Sequence, residues 1–195
     1  MNNVYFVRHA KPDFNIKDEL LRPLNKEGIS DSKKVTEFLK DKNITKIYSS
    51  PYKRSIDTIN DFASSVNMDI SLIEDFRERK ISNEWIEDFN GFAKMQWNDF
   101  NYRLEDGESL KEVQDRNIRE LHKILNENNN ENIVIGTHGT ALSTILNYFT
   151  PSYVCNDFLR IIDFMPYIIR LDFSGVNLVG KEELLIVKKE SNGRK

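Results

Sequence analysis

Short runs of β-branched and aromatic residues alternate along the chain with longer stretches in which apolar positions recur every three or four residues. Val4, Tyr5, Phe6 and Val7 form the first run, and the charged pair Arg8-His9 closes it, which predicts a buried strand ending at that pair. Residues 11–23 hold two prolines and no sustained period, so they predict a loop. Apolar positions at Ile29, Val35, Phe38 and Leu39 then predict an amphipathic helix, in spite of Gly28 near its start. A second strand is expected over 44–48. The break Ser49-Ser50-Pro51 follows it, with hydroxyls available to cap the helix that carries Arg54, Ile56, Ile59, Phe62 and Ala63. Residues 70–73 predict a third strand, ahead of the charge-dense stretch 74–80.

Farther along, Trp85, Phe89, Phe92, Trp97 and Phe100 recur at helical spacing and suit a core stripe or a site wall. Gly107-Glu108-Ser109 introduces a helix with apolar positions Leu110, Val113, Ile118, Leu121 and Leu125, which the asparagine-rich run 126–132 ends. Ile133-Val134-Ile135 is the clearest buried strand in the chain. It runs directly into Gly136-Thr137-His138-Gly139 and a helix over 141–148. Two closing strands are predicted over 167–173 and 184–187, joined through Ser174-Gly175, and the charged tail 188–195 is expected to fray. Strand, turn and helix in repeated alternation predict an α/β protein.

Composition narrows the function. The 195 residues suit one domain, 1–195, and a mix of 39% hydrophobic and 30% charged residues fits a soluble globular chain. With a formal net charge of -3 there is no overall basic field for nucleic acid or an anionic membrane, so any anion site must be built locally. The single cysteine, Cys155, excludes an intrachain disulfide framework and a cysteine-based zinc site, and reads as a small half-buried thiol. Three histidines (His9, His122 and His138) leave little for a histidine-based metal site, and His122, inside a helix without a motif, reads as structural. No metal or cofactor is expected. No stretch has signal-peptide character or the roughly 18 apolar residues of a membrane span, so a cytoplasmic location is expected.

Two of the predicted strands end in a histidine, at His9 and His138, and a third ends in the turn that delivers Arg54. In open α/β sheets the ligand crevice lies beyond the carboxyl ends of the strands, so the three loops are expected to face one place. Arginine offers a planar fork matched to phosphoryl oxygens, and glycine-flanked helix starts add backbone donors for the same anion. That combination needs no metal.

At this point specific motifs carry a family resemblance. Val7-Arg8-His9-Ala10 resembles the Arg-His-Gly motif of the histidine phosphatase superfamily, the phosphoglycerate-mutase-like family, with Ala10 in place of glycine. Pro23-Leu24-Asn25-Lys26-Glu27-Gly28 is similar to its Pro-Leu-Thr-x-x-Gly, and Ser49-Ser50-Pro51-Tyr52-Lys53-Arg54-Ser55 to its Ser-Ser-Pro-x-x-Arg-Ala. Asp106-Gly107-Glu108-Ser109 resembles its Gly-Glu-Ser stretch, and Gly136-Thr137-His138-Gly139 its second-histidine motif. Five matches in the family's order, over residues 4–150, are specific where any one would be weak.

The resemblance implies a three-layer α/β/α sandwich with a mostly parallel central sheet. It also implies a phosphatase acting on a small phosphorylated metabolite, with His9 as nucleophile and Arg8, Arg54 and His138 on the phosphoryl oxygens. Glu78, in Phe76-Arg77-Glu78-Arg79, matches the family's Leu-x-Glu-Arg segment and takes the role of general acid. Trp85 stands one position late against the family's Gly-x-Trp-Glu and Ser82 replaces a common glycine, so Glu74 and Asp75 remain alternatives for that role. Asn15, six residues past His9, is expected to touch phosphate or substrate. Two other readings stand beside hydrolysis: a phosphoglycerate mutase, for which the stretch between Glu78 and Gly107 is short, and a phosphate-binding module without turnover.

Overall fold

A computed structural model describes residues 1–84 and 86–190. Trp85 of the aromatic stripe, and residues 191–195 of the tail expected to fray, lie outside the described residues. The elements in chain order are β1 (Asn2–Arg8), α1 (Lys26–Leu39), β2 (Lys46–Ser49), α2 (Lys53–Ser65), β3 (Ser71–Leu72) and a 3-10 turn (Glu74–Phe76). After them come α3 (Phe89–Asn98), α4 (Leu110–Glu127), β4 (Asn132–Thr137), α5 (Gly139–Phe149), α6 (Cys155–Ile161), β5 (Phe164–Ser174) and β6 (Asn177–Lys188).

The strands form one six-stranded sheet in the order β3-β2-β4-β1-β5-β6. The pairings β3/β2, β2/β4 and β4/β1 are parallel, and β1/β5 and β5/β6 are antiparallel, so the sheet is mostly parallel as expected. Successive strand residues face opposite sides, and in β1 both sides are apolar. Val4 and Phe6 join one core with Ile133, Ile135, Leu121 of α4, Leu142 of α5 and Phe158 of α6. Tyr5 and Val7 join another with Val134, Val35 and Leu39 of α1, and Ile59 and Phe62 of α2. Helices therefore cover both faces, and the three layers follow.

Local signals account for most boundaries. The Asn25 side chain caps α1 by accepting from Gly28 N at 2.8 Å. Ser109 and Glu112 form a reciprocal capping box at the start of α4. The part of the aromatic stripe over 89–100 packs in and against the core: Trp97 of α3 stacks on Phe158 with ring centroids 5.8 Å apart and meets Phe100 edge-on at 5.4 Å.

Several expectations need correction. The third strand shrinks to Ser71–Leu72, exposed at the sheet edge, because it pairs with β2 alone. The closing strands are longer than their apolar runs, since β5 lies between β1 and β6 and its backbone pairs along both sides. Helix α6 was not expected, its seven residues being too few to show a period. Ile29 is exposed although α1 is amphipathic. The hydroxyls of Ser49 and Ser50 do not cap α2, whose N-cap is Tyr52 without a side-chain bond. Within the tail, Lys189 is buried and anchored: its Nζ pairs with Asp31 and, at 2.7 Å, with Glu27, tying the end of β6 to α1.

Helix α1 also fixes the loop that follows β1. Asn25 N donates to Lys11 O at 3.1 Å, and a Cβ added at Gly28 would stand 2.2 Å from that same carbonyl oxygen. The helix and the loop backbone touch only because residue 28 has no side chain. Gly28→Ala is expected to cost about 1–3 kcal/mol, the usual penalty of overpacking, read as a lower urea midpoint with an unchanged m-value. An unchanged midpoint would contradict the close approach.

Candidate active site

β2, β4 and β1 lie side by side and run parallel, so the segments leaving their carboxyl ends are neighbours. His9 follows β1 and its backbone N donates to Thr137 O at 3.2 Å, while Ser50 after β2 donates its N to Gly136 O at 3.0 Å. These two bonds draw the three segments together. The His9 and His138 rings lie with centroids 5.3 Å apart, tilted by 59°.

The bonds around His9 define its tautomer. Nδ1 lies 2.8 Å from Ala10 O, an atom that can only accept, so Nδ1 carries the proton. Nε2 keeps its lone pair and receives Arg54 Nε at 3.4 Å. The loop holds this conformation through Ala10 N, which donates to Thr58 Oγ1 of α2 at 2.9 Å. His138 is fully buried, its Nε2 2.8 Å from Ser50 Oγ, and Nδ1 has no hydrogen-bond partner among the described residues. Tyr52 meets the His138 ring edge-on at 5.2 Å and also lies under the Arg54 guanidinium at 5.0 Å.

Arg54 is 3% exposed, so its charge needs compensation. It comes from the loop after β1: Arg54 Nη1 donates to Glu19 O at 2.7 Å and Nη2 to Glu19 Oε2 at 2.9 Å. The other Glu19 oxygen accepts from Arg22 Nη1 at 2.6 Å, and Arg22 in turn binds the carbonyls of Ile16 and Lys17. One carboxylate thus bridges two arginines. Arg8 is equally buried, and its Nη1 donates to the carbonyls of Ile161 and, at 3.1 Å, Phe164 at the α6–β5 junction.

Glu78 comes to the site from outside the sheet. Its Oε2 accepts from Thr140 N at 3.0 Å and its Oε1 from Ala141 N at 3.1 Å, two backbone donors in the first turn of α5, which His138 caps. A carboxylate at a helix N-terminus is where backbone donors and dipole favour it. The neighbouring candidates point elsewhere. Glu74 is exposed near Arg77, and Asp75 pairs with Arg77 and with Arg119 at 2.6 Å. Asn15 is exposed as well, with its side chain turned onto Asp13 Oδ1 at 2.9 Å. So His9, His138, Arg54 and Glu78 are gathered around the start of α5, Arg8 is built in beneath, and no described contact ties Asn15 to them.

Burial holds the His138 pKa well below its ordinary value, and the positive field of Arg54 acts in the same direction. The ring is neutral at pH 7 in the free protein. Burial likewise lowers Arg54, opposed by Glu19 and Glu78. Among the described residues, no group of three or more His, Cys, Asp or Glu side chains gathers as a metal site. No helix among them is long and apolar enough to cross a membrane.

Residue patterns had not singled out Glu19, Arg22 or Thr58, and had offered the hydroxyl of Ser50 as a helix cap, not as a partner of His138. The mixed charges of Lys17, Asp18, Glu19 and Arg22 resemble an ordinary solvated loop, and only the tertiary fold buries Arg22 and sets Glu19 against Arg54.

The family model described as histidine phosphatase superfamily (branch 1) matches residues 4–162. A phosphatase of Bacillus subtilis (strain 168) named uncharacterized phosphatase PhoE is 27% identical over 155 residues, covering 75% of this chain and 76% of that protein. Among solved structures, Bacillus stearothermophilus YhfR matches with a TM-score of 0.76 at 18% identity over 100% of this chain and 99% of that one. A variant of Entamoeba histolytica phosphoserine phosphatase in complex with phosphoserine matches with a TM-score of 0.74 at 20% identity, covering 92% and 94%. These two structural likenesses speak to the fold.

The state of His138 has a measurable consequence. Its folded pKa lies below the unfolded value of 6.5, so as pH falls through that value the unfolded chain takes up a proton that the folded chain refuses. Stability contributed at neutral pH is therefore lost on acidification. Between about pH 7.5 and about pH 5.5, the urea midpoint of the wild type should fall more than that of His138→Gln. Equal falls would mean that the ring titrates normally.

Proposed function

The chain belongs to the histidine phosphatase superfamily, and on that premise we propose that it is a phosphomonoesterase, transferring the phosphoryl group of a small phosphorylated metabolite to His9 and then to water. One observation carries this reading: the His9 proton is committed to Ala10 O through Nδ1, and Nε2 is left as an acceptor that receives Arg54 Nε at 3.4 Å. A neutral imidazole with an aimed lone pair is a nucleophile without prior deprotonation. An imidazole meant only to bind phosphate would do better as a cation.

In the first step Nε2 attacks phosphorus in line with the ester oxygen; the N–P bond forms as the P–O bond breaks. Arg54 takes the equatorial oxygens, exchanging the Glu19 carboxylate for the phosphoryl group on the same fork. His138 and the buried charge of Arg8 stabilise the same oxygens, a demand that grows as charge shifts in the transition state. Glu78 gives its proton to the leaving alkoxide, which departs as the alcohol. In the second step water attacks the phosphohistidine, Glu78 takes the water proton, and inorganic phosphate leaves with His9 neutral again. Glu78 is favoured over Glu74 and Asp75 because its carboxylate lies at the helix start that His138 caps. Asn15 would act on substrate only after leaving Asp13.

The relatives named above include phosphatases, one of them bound to a phosphomonoester, phosphoserine, in its solved structure, and this agrees with a small phosphorylated substrate here. Release of inorganic phosphate to water, with no second phosphorylated product from an added acceptor, separates hydrolysis from mutase chemistry.

His9→Ala should abolish phosphate release while leaving the thermal midpoint near that of the wild type. Rapid quench of the wild type should trap a phosphoryl adduct on His9 that is stable in base and labile in acid. Full activity in the alanine variant would remove His9 from the role. Glu78→Gln should lose about 100- to 10,000-fold on esters of poorly acidic alcohols, and far less on phosphohistidine formation from an aryl ester, whose leaving group needs little protonation. Equal losses on both would remove Glu78 from it.

A further inference from the structure

Glu78 lies in a stretch without regular structure after the 3-10 turn, so its position cannot come from a helix or strand ladder. Backbone groups outside such ladders must find partners elsewhere or remain unsatisfied. Here several of them converge on one ion pair. Arg116 of α4 donates from Nη1 to Asp75 O at 2.6 Å and Arg77 O at 2.9 Å, and from Nη2 to Glu78 O at 3.3 Å. The remaining face of the guanidinium grips Glu108 in a fork, Nε to Oε1 at 2.9 Å and Nη2 to Oε2 at 3.1 Å.

Glu108 holds the same stretch from its other side. Its Oε2 accepts from Lys80 N at 2.9 Å, its Oε1 from Arg77 Nη2 at 2.8 Å, and its own N donates to Lys80 O at 2.8 Å. The two backbones approach so closely that a Cβ on Gly107 would stand 2.0 Å from Ile81 O. Arg116 is 5% exposed, and the pair is fixed at the head of α4 by the Ser109 capping box. Bonds on both sides of Glu78 hold its backbone while its carboxylate accepts from the N–H groups of Thr140 and Ala141 and from Arg79 N at 2.8 Å.

We propose that the Glu108–Arg116 ion pair is the positioning device for the general acid, holding residues 75–80 so that the Glu78 carboxylate meets the leaving oxygen beside His138. The proposal rests on the reading of Glu78 as the acid. The pair touches neither substrate nor phosphoryl group; it acts through the backbone of Glu78. A displacement of about 1 Å in a group that transfers a proton is enough to cost rate heavily. Lysine at 116 keeps the charge but cannot reach three carbonyls and a carboxylate at once.

The test compares an alkyl phosphate with an aryl phosphate of good leaving group, by the ratio of their single-turnover rates of phosphohistidine formation in wild type, Arg116→Lys, Glu108→Gln and Glu78→Gln. A ratio taken within one preparation cancels the folded fraction, so a variant that merely folds poorly leaves it unchanged. Glu108→Gln, which keeps the side-chain volume, serves as the milder arm. The expected result is a loss at least about tenfold greater on the alkyl ester in Arg116→Lys, a smaller loss of the same kind in Glu108→Gln, and the largest in Glu78→Gln. A leaving-group dependence in Glu78→Gln alone would overturn the positioning role and leave the acid in place. Its absence from Glu78→Gln would overturn the acid assignment, and the positioning role with it.

Discussion

The site rests on the register between β1 and β4. Arg8 lies opposite Thr137, and His9 N continues the ladder onto Thr137 O, which brings the two histidine rings side by side at a tilt of 59°. Hydrophobicity does not fix this register. Both faces of each strand are apolar, so a slip of one residue would exchange one buried set for another with little change in area, where a half-exposed strand would be penalised. The register is pinned at the opposite end. Asn2 Nδ2 donates to Asn128 O at 2.9 Å and Asn2 Oδ1 accepts from Glu131 N at 3.0 Å, while Asn3 Nδ2 donates to Asn132 Oδ1 at 2.8 Å. A slip of about 3.3 Å would break all three and separate the histidines. Asparagines a whole strand length from the site thus hold it in alignment.

An anion site in a chain of net charge -3 needs local cations, and the fold keeps them out of water before any anion arrives. Each is held in its own way: Arg8 donates to main-chain carbonyls, whereas Arg54 pairs with the side chain of a loop glutamate. The difference matters chemically. Carbonyls at the α6–β5 junction belong to the scaffold and cannot be displaced, so Arg8 supplies a fixed charge and field. Glu19 is half a side chain in solvent and shares itself between two arginines, so a phosphoryl group can replace it without leaving Arg54 unpaired at any stage.

The sequence is legible where a signal is local and opaque where it is tertiary. The runs Val4 to Val7 and Ile133 to Ile135 mark two central strands, and the charged or glycine-flanked residues directly after them mark the site, because a strand end and its side chain are adjacent in both sequence and space. Asn25 and Ser109 mark helix starts for the same reason. The full lengths of β5 and β6 are not marked, since β6 is an edge strand whose mostly exposed side chains carry little pattern. Nor is the burial of Lys189, which depends on Asp31 across 158 residues of chain. Glu19 and Arg22 share that difficulty: in a polar loop nothing in the neighbouring residues distinguishes a side chain turned inward from one in water.

The acid candidate differs from the other site groups in how it is held, and this separates two properties of the site. His9, His138 and Arg54 stand at the ends of adjacent strands, so their mutual geometry is that of the sheet. Glu78 is held through Arg116 of α4 and Glu108 just before that helix, and its neighbour Arg79 is buried against the rings of Phe89 and Phe92 of α3 and bonded to Gln96. Burial draws the Arg79 pKa down to about 10, opposed by Glu78 and Glu108. Gln96 in turn donates to Glu108 O and Tyr102 O, each at 2.9 Å. A change of packing in α3 therefore reaches the residue beside Glu78, and the backbone of Glu108, without passing through the sheet. Under the proposed function, the end of the site built on the sheet can stay constant while the end that would meet the leaving alcohol varies.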